Sequence, residues 1–81
     1  MLNKEVKIVR LNESRYMEDE FGIKTLMLYE DELVENLLNQ NSIGEIIEYD
    51  EENNMYLVEF EYSEEVWLYR NEFLVLIKNL F

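Results

Sequence analysis

A chain of 81 residues has room for one small hydrophobic core and no second domain. Its 48% hydrophobic and 14% aromatic content is enough to fold, so a formal charge of −12 marks an acidic globular protein rather than a disordered one. That charge opposes direct contact with nucleic acid or an anionic membrane, and the absence of cysteine and histidine removes disulfides, thiolate chemistry, the commonest general base and the commonest metal ligand.

The opening stretch MLNKEVKIVR lacks the apolar run and cleavage site of a signal peptide, and no segment approaches the roughly 20 apolar residues of a membrane span. A cytoplasmic location is expected. Val6 and Ile8 alternate with Lys7 and Val9, which predicts a first, half-buried strand. The charge-dense ESRYMEDE (13–20) has no apolar period and reads as a surface loop, and FGIKTLMLY (21–29) as a second strand that Gly22 bends at its start. In EDELVENLLNQN (30–41), Leu33, Val34, Leu37 and Leu38 form one apolar stripe, and acids crowd the first turn. The pattern predicts a helix of about three turns ending between Asn39 and Ser42.

SIGEIIEY (42–49) and MYLVEF (55–60) flank DEENN, whose paired asparagines tolerate the positive φ of a tight hairpin. Tyr56, Val58 and Phe60 share a parity and are expected to face the core together. VWLYR (66–70) follows as another strand after an SEE turn, NEF (71–73) as a brief helical turn, and LVLI (74–77) as a final short buried strand.

From residue 43 onward the features fall in a familiar order. A Gly-x-Ile strand is followed by a polar hairpin, an alternating Tyr-x-Val-x-Phe strand, a strand with an aromatic, and a turn before a closing strand. The matching residues are Gly44, Ile46, Tyr56, Val58, Phe60, Trp67, Glu72 and Leu74, with Phe73 inserted between the last two. This half of the chain resembles an SH3-like small β-barrel of the KOW and Tudor type. The resemblance implies an α+β, mainly β, single domain over residues 1–81: an SH3-like, partly open antiparallel barrel of five or six strands with one inserted helix. Members of that class mostly bind proteins or nucleic acids and seldom catalyse. KOW modules touch nucleic acid through basic loops, whereas the hairpins here are acidic, so no direct nucleic-acid binding is expected.

Catalysis finds little support in the residues. Ser14, Ser42 and Ser63 have no histidine to activate them, and two glycines, Gly22 and Gly44, cannot build a phosphate loop. YDEENN (49–54) offers oxygen ligands without the spacing or central glycine of an EF-hand, and reads as a solvated hairpin tip. No metal and no cofactor are expected. Tyr49, Tyr56, Tyr62, Trp67 and Tyr69 lie beside Glu48, Glu61 and Glu65, a composition that could cage a methylated lysine or an arginine. Core and cross-strand packing accounts for most of these rings more simply. Trp67 or Tyr69 is the aromatic expected to be displayed for binding.

Charge is segregated along the chain. Lys4, Lys7, Arg10, Arg15 and Lys24 lie in the first 24 residues and Arg70 and Lys78 near the end, while Thr25 to Tyr69 carries acids only. A sheet in this region would present carboxylates in rows, with same-face neighbours about 7 Å apart along a strand. The expected partner-binding residues are Glu45, Glu48, Asp50, Glu51, Glu52, Glu59, Glu61, Glu64 and Glu65, joined by Trp67 and Tyr69. In size and charge the chain resembles the DNA-mimic inhibitors that phages and mobile elements use against restriction and CRISPR nucleases. The expected partner is a protein with a basic surface, a nucleic-acid-binding enzyme being one such protein. Two alternatives stand beside this one: acidity set by solubility alone, and an SH3-like adaptor using its aromatic and apolar face, with Leu80 and Phe81 capping the barrel, pairing with a second copy or docking on a partner. The residues leave the oligomeric state open.

Overall fold

The computed structural model describes residues 1–77; Lys78, Leu80 and Phe81, and the roles expected of the last two, lie outside the described residues. Seven strands and one helix follow in the order β1 (Glu5–Ile8), β2 (Tyr16–Glu18), β3 (Lys24–Leu26), α1 (Tyr29–Asn39), β4 (Ile43–Asp50), β5 (Met55–Glu59), β6 (Glu65–Tyr69) and β7 (Phe73–Val75). Single 3-10 turns occupy Glu13–Arg15, Glu61–Ser63 and Arg70–Glu72. Five strands form one antiparallel sheet in the order β6-β5-β4-β1-β7, and β2 and β3 form a separate hairpin. The architecture is α+β, mainly β, and is compatible with an SH3-like, partly open barrel into which a hairpin and a helix are inserted between β1 and β4.

Alternation in the strands builds the core. Val6 and Ile8 of β1, Ile46 of β4, Val58 of β5, Val66 and Leu68 of β6 and Phe73 of β7 are buried on one face of the sheet with Phe60, and Val34 and Leu37 of α1 cover them. Each such side chain stabilises the fold by about 1.5–3 kcal/mol relative to exposure. Leu33, Leu38 and Tyr56 are partly buried against this cluster, so the helical stripe and the Tyr56, Val58, Phe60 parity both hold. The helix begins where the Asp31 carboxylate accepts the Leu28 N–H at 2.9 Å, and stops at Asn41, whose φ of 55° is left-handed.

Between β4 and β5 the register slips by one residue: Ile46 faces Val58, but Glu48 faces Leu57, leaving Ile47 as a bulge. Continued without the bulge, the turn-end register would set Ile46 opposite Glu59 and turn an acid toward the core. The turn itself is tied by Asp50, which accepts N–H groups from Glu52 at 3.0 Å and Asn53 at 3.3 Å and the Asn53 side-chain amide at 2.7 Å, while Asn54 takes φ 53°. The Asn53 side-chain bond, then its backbone N–H, holds the Asp50 pKa below its ordinary value. A carboxylate depressed in the folded state contributes stability that is present above its unfolded pKa, about 3.9, and is lost as pH falls through the lower folded value. Carbon-detected titration is expected to show Asp50 protonating below the usual aspartate range in the wild type, and Asn53→Ala is expected to return it toward that range.

Three sequence expectations are corrected. ESRYMEDE is not a loop throughout: Tyr16–Glu18 is a strand, paired Tyr16 to Leu26 and Glu18 to Lys24. FGIKTLMLY is accordingly not one strand; only Lys24–Leu26 is extended, and the chain reverses through Gly22 at φ 79° because the Asp19 carboxylate holds the N–H groups of Phe21 and Ile23 at 2.8 and 2.9 Å. The last strand starts at Phe73, not Leu74; pairing with β1 turns Phe73 inward and leaves Leu74 exposed.

One edge of the sheet is finished by side chains. The Trp67 N–H of β6 donates to Glu30 Oε1 at 2.8 Å, the Trp67 carbonyl accepts from Arg15 Nη2 at 2.6 Å, and the Tyr69 N–H donates to Glu72 Oε1 at 2.8 Å. These groups stand where a closing strand would be, which is why the sheet stays open at β6.

Candidate acidic face

The sheet face opposite the core carries Glu45 of β4, Glu59 of β5 and Glu65 of β6, and the register sets them directly across from one another: Glu45 opposite Glu59, and Glu59 opposite Glu65. Glu5 of β1 lies opposite Glu45 and continues the row. Adjacent strands are roughly 4.8 Å apart, so this is a transverse file of carboxylates at that backbone spacing. Among the described residues, Glu45, Glu59 and Glu65 make no ion pair. Lys7 sits one row along, opposite Ile43 and Leu74. Like charges placed directly across a sheet destabilise it.

The expected row runs along β4, whose outer face carries Glu45, Glu48 and Asp50, the last two at i, i+2 spacing, but it does not recur along β5 or β6. Next to the glutamate file, the register aligns Glu48, Leu57 and Trp67, and beyond it Asp50, Met55 and Tyr69, so the outer faces of β5 and β6 each carry a single acid among apolar and aromatic residues. Glu48, exposed on β4, lies between two groups formed by the remaining acids. Glu61 and Glu64 lie in the β5–β6 turn, beside the file; Asp50, Glu51 and Glu52 lie at the β4–β5 turn, about four residues or roughly 13 Å away along the strands. Glu51, Glu52 and Glu61 are exposed, Glu64 is half-buried, and Asp50 is engaged in its own turn.

Trp67 is half-buried. The Tyr69 ring lies under the Arg15 guanidinium, 5.3 Å from carbon to centroid. The other rings disperse: Tyr49 meets Tyr56 at 4.7 Å, Tyr56 meets Phe73 edge-on at 5.3 Å, and Tyr62 is 96% exposed at a left-handed φ of 63°. The ring contacts of Tyr49, Tyr56 and Tyr69 thus go to one another, to the core or to Arg15, the Tyr49 hydroxyl donates to Asn54 Oδ1 at 2.8 Å, and the three do not assemble a common cage.

A second cluster was not visible in the sequence. Arg15, Asp31 and Glu72 are all buried. Arg15 Nη1 donates to Asp31 Oδ1 at 2.8 Å, and its Nε and Nη2 donate to the two oxygens of Glu72 at 2.6 and 2.8 Å. Glu72 also accepts from the N–H groups of Asn12 and Tyr69, so each of its oxygens serves two donors. Burial works against the charged guanidinium, but the bonds and charges of Glu72 and then Asp31 outweigh it, and the Arg15 pKa is raised. Among the described residues, no buried side-chain nitrogen or oxygen lacks a partner. The network binds the 3-10 turn at 13–15, the helix start and the β6–β7 connection into one unit. In sequence Arg15 is a lone base in an acidic run, which reads as a solvated charge; only the fold brings its partners together.

Among the described residues, no three acids converge to hold a metal ion, and no helix is long and apolar enough to cross a membrane. No protein-family model, curated protein or solved structure matches the chain.

Proposed function

We propose that the chain is a non-catalytic acidic binding protein that occupies a basic surface of a protein partner. The observation that carries this reading is the transverse file of Glu45, Glu59 and Glu65. A file of like charges across neighbouring strands costs stability, and one substitution to glutamine at Glu59 would relieve two contacts at once. Such a cost is intelligible where a cationic partner supplies counter-charge. In its finer form the proposal is a KOW/Tudor-type SH3-like barrel acting as a phage-type inhibitor, a nucleic-acid mimic directed at a restriction or CRISPR nuclease. The flexible glutamate side chains can splay from their roughly 4.8 Å backbone spacing to meet more widely set cations.

Leu57 and Trp67, half-buried side by side on the same face, favour a second reading, an SH3-like adaptor gripping a partner through apolar contact. Salt separates the two, because exposed charges are screened and apolar contacts are not. Capture from lysate at about 50 and about 500 mM salt is expected to yield a nucleic-acid-binding protein that is lost both at high salt and with E45Q/E59Q/E65Q. That variant is expected to unfold at higher urea than the wild type, by about 0.5–1 kcal/mol. A partner retained through both changes would move the contact to Leu57 and Trp67.

A further inference from the structure

The β2–β3 hairpin stands out for what it leaves uncovered. Tyr16 and Leu26 on one face are half-buried beside α1, whereas Met17 and Ile23 on the other are each 60% exposed. Phe21 at the tip and Met27, Leu28 and Tyr29 at the base extend this surface, and all four are exposed. Most exposed apolar residues in a protein are scattered singly; here the register sets Met17, Ile23 and Met27 on one face of the hairpin, a local apolar surface. The arm is also held in place. Gly22 and Asp19 fix its turn, the Met27 N–H donates to the Arg15 carbonyl at 3.1 Å, and the buried Arg15 side chain anchors its base. An isolated two-stranded hairpin is marginal in water, so this one is presented by the domain.

Charge decides what covers the patch. Glu18, Glu20 and Glu32 are exposed around it, and the lysine of the arm, Lys24, is taken by Glu13 at 2.9 Å. A second copy would bring another −12 against the first, and the lysine of the arm is already paired with Glu13. We infer that the β2–β3 arm is a docking element whose Met17, Ile23 and Phe21 side chains enter an apolar groove rimmed by lysine and arginine on a partner protein. This surface is separate in residues from the glutamate file. It gives the basic partner a more exposed site of apolar grip than half-buried Leu57 and Trp67 beside the file.

The probe is a pair of helical lysine–leucine peptides of identical composition, one with its leucines on a single face and one with them scattered. The full-length chain is labelled at its methionine methyl groups, of which Met17 and Met27 report on the arm, and Met1 and Met55 on the rest. The one-faced peptide is expected to bind about tenfold tighter than its isomer, equivalent to one hydrophobic side chain buried, and to shift Met17 and Met27 selectively. Met17→Ser with Ile23→Ser, at exposed positions that leave the core intact, is expected to erase this advantage. E45Q/E59Q/E65Q is expected to weaken both peptides alike and leave their ratio unchanged; if it weakens neither, the glutamate file fails as a binding surface while the ratio still judges the arm. Equal affinities for the two peptides, or an advantage that survives the serine changes, would overturn the inference. So would sedimentation showing a dimer that the serine changes dissociate, because the occupant would then be a second copy.

Discussion

Replacing Arg15 with methionine is expected to lower the free energy of unfolding by about 3–5 kcal/mol, because it leaves Asp31 and Glu72 buried without their shared cation. Against the roughly 5–15 kcal/mol of an ordinary domain, that loss is enough to populate the unfolded state. Lysine in the same place keeps the charge but not the fork. A single ammonium cannot serve both oxygens of Glu72, the Asp31 carboxylate and the Trp67 carbonyl together, so Arg15→Lys is expected to recover only part of the loss. Neutralising both acids beside the methionine, as R15M/D31N/E72Q, is expected to be less damaging than R15M alone, since the uncompensated charges go with the cation. Urea unfolding at neutral pH reads all three. A methionine variant within about 1 kcal/mol of wild type, the net worth of an ordinary hydrogen bond, would mean that water reaches the two carboxylates. Alkali is not expected to reproduce the effect. A guanidinium whose pKa is raised in the folded state keeps its contribution below the unfolded pKa and loses it only as pH climbs through the still higher folded value.

Gly44→Ala is expected to be the next most costly single change. A Cβ at this position would lie 2.6 Å from Val58 Cγ1, 2.8 Å from Phe60 Cε1 and 2.9 Å from the Glu59 carbonyl oxygen. The two side chains can give way; the carbonyl belongs to the strand paired with Gly44's own. Overpacking of this kind costs about 1–3 kcal/mol, and for a domain of this size each kcal/mol lowers the melting temperature by about 4–8 °C. Because the neighbour that must move is Glu59, the substitution is also expected to disturb the file at its centre. A melting temperature unchanged in G44A would show that β4 and β5 can separate here without penalty.

The sequence carried the sheet further than it carried the face. Val6 and Ile8, the Leu33 to Leu38 stripe and the Tyr56, Val58, Phe60 alternation each declare a local period, and each period came true because one side of the element is buried. Strand β2 was hidden because Tyr16, Met17 and Glu18 pair with a single neighbour, leave two of three residues exposed, and so show no apolar alternation. The glutamate file was hidden for a different reason. Glu45 and Glu59 become partners only if one residue, Ile47, bulges out of a ladder whose turn alone would put Glu45 opposite Phe60. Locally the sequence does not choose between the registers: GEIIEYD has an acid on both parities, and Ile47 could face Val58 as readily as Ile46 does.

The side-chain groups that finish the outer edge of β6 have a bearing on how the chain fares in a crowded cell. An unpaired strand edge is a template on which a passing polypeptide can add its own backbone, and proteins commonly blunt such edges with proline. This chain has none. Glu30 and Glu72 instead occupy the Trp67 and Tyr69 N–H groups, and Arg15 the Trp67 carbonyl, three of the groups that a foreign strand would seek. The same buried arginine that joins helix, turn and strand thereby obstructs the addition of a foreign strand at the Trp67–Tyr69 end of β6.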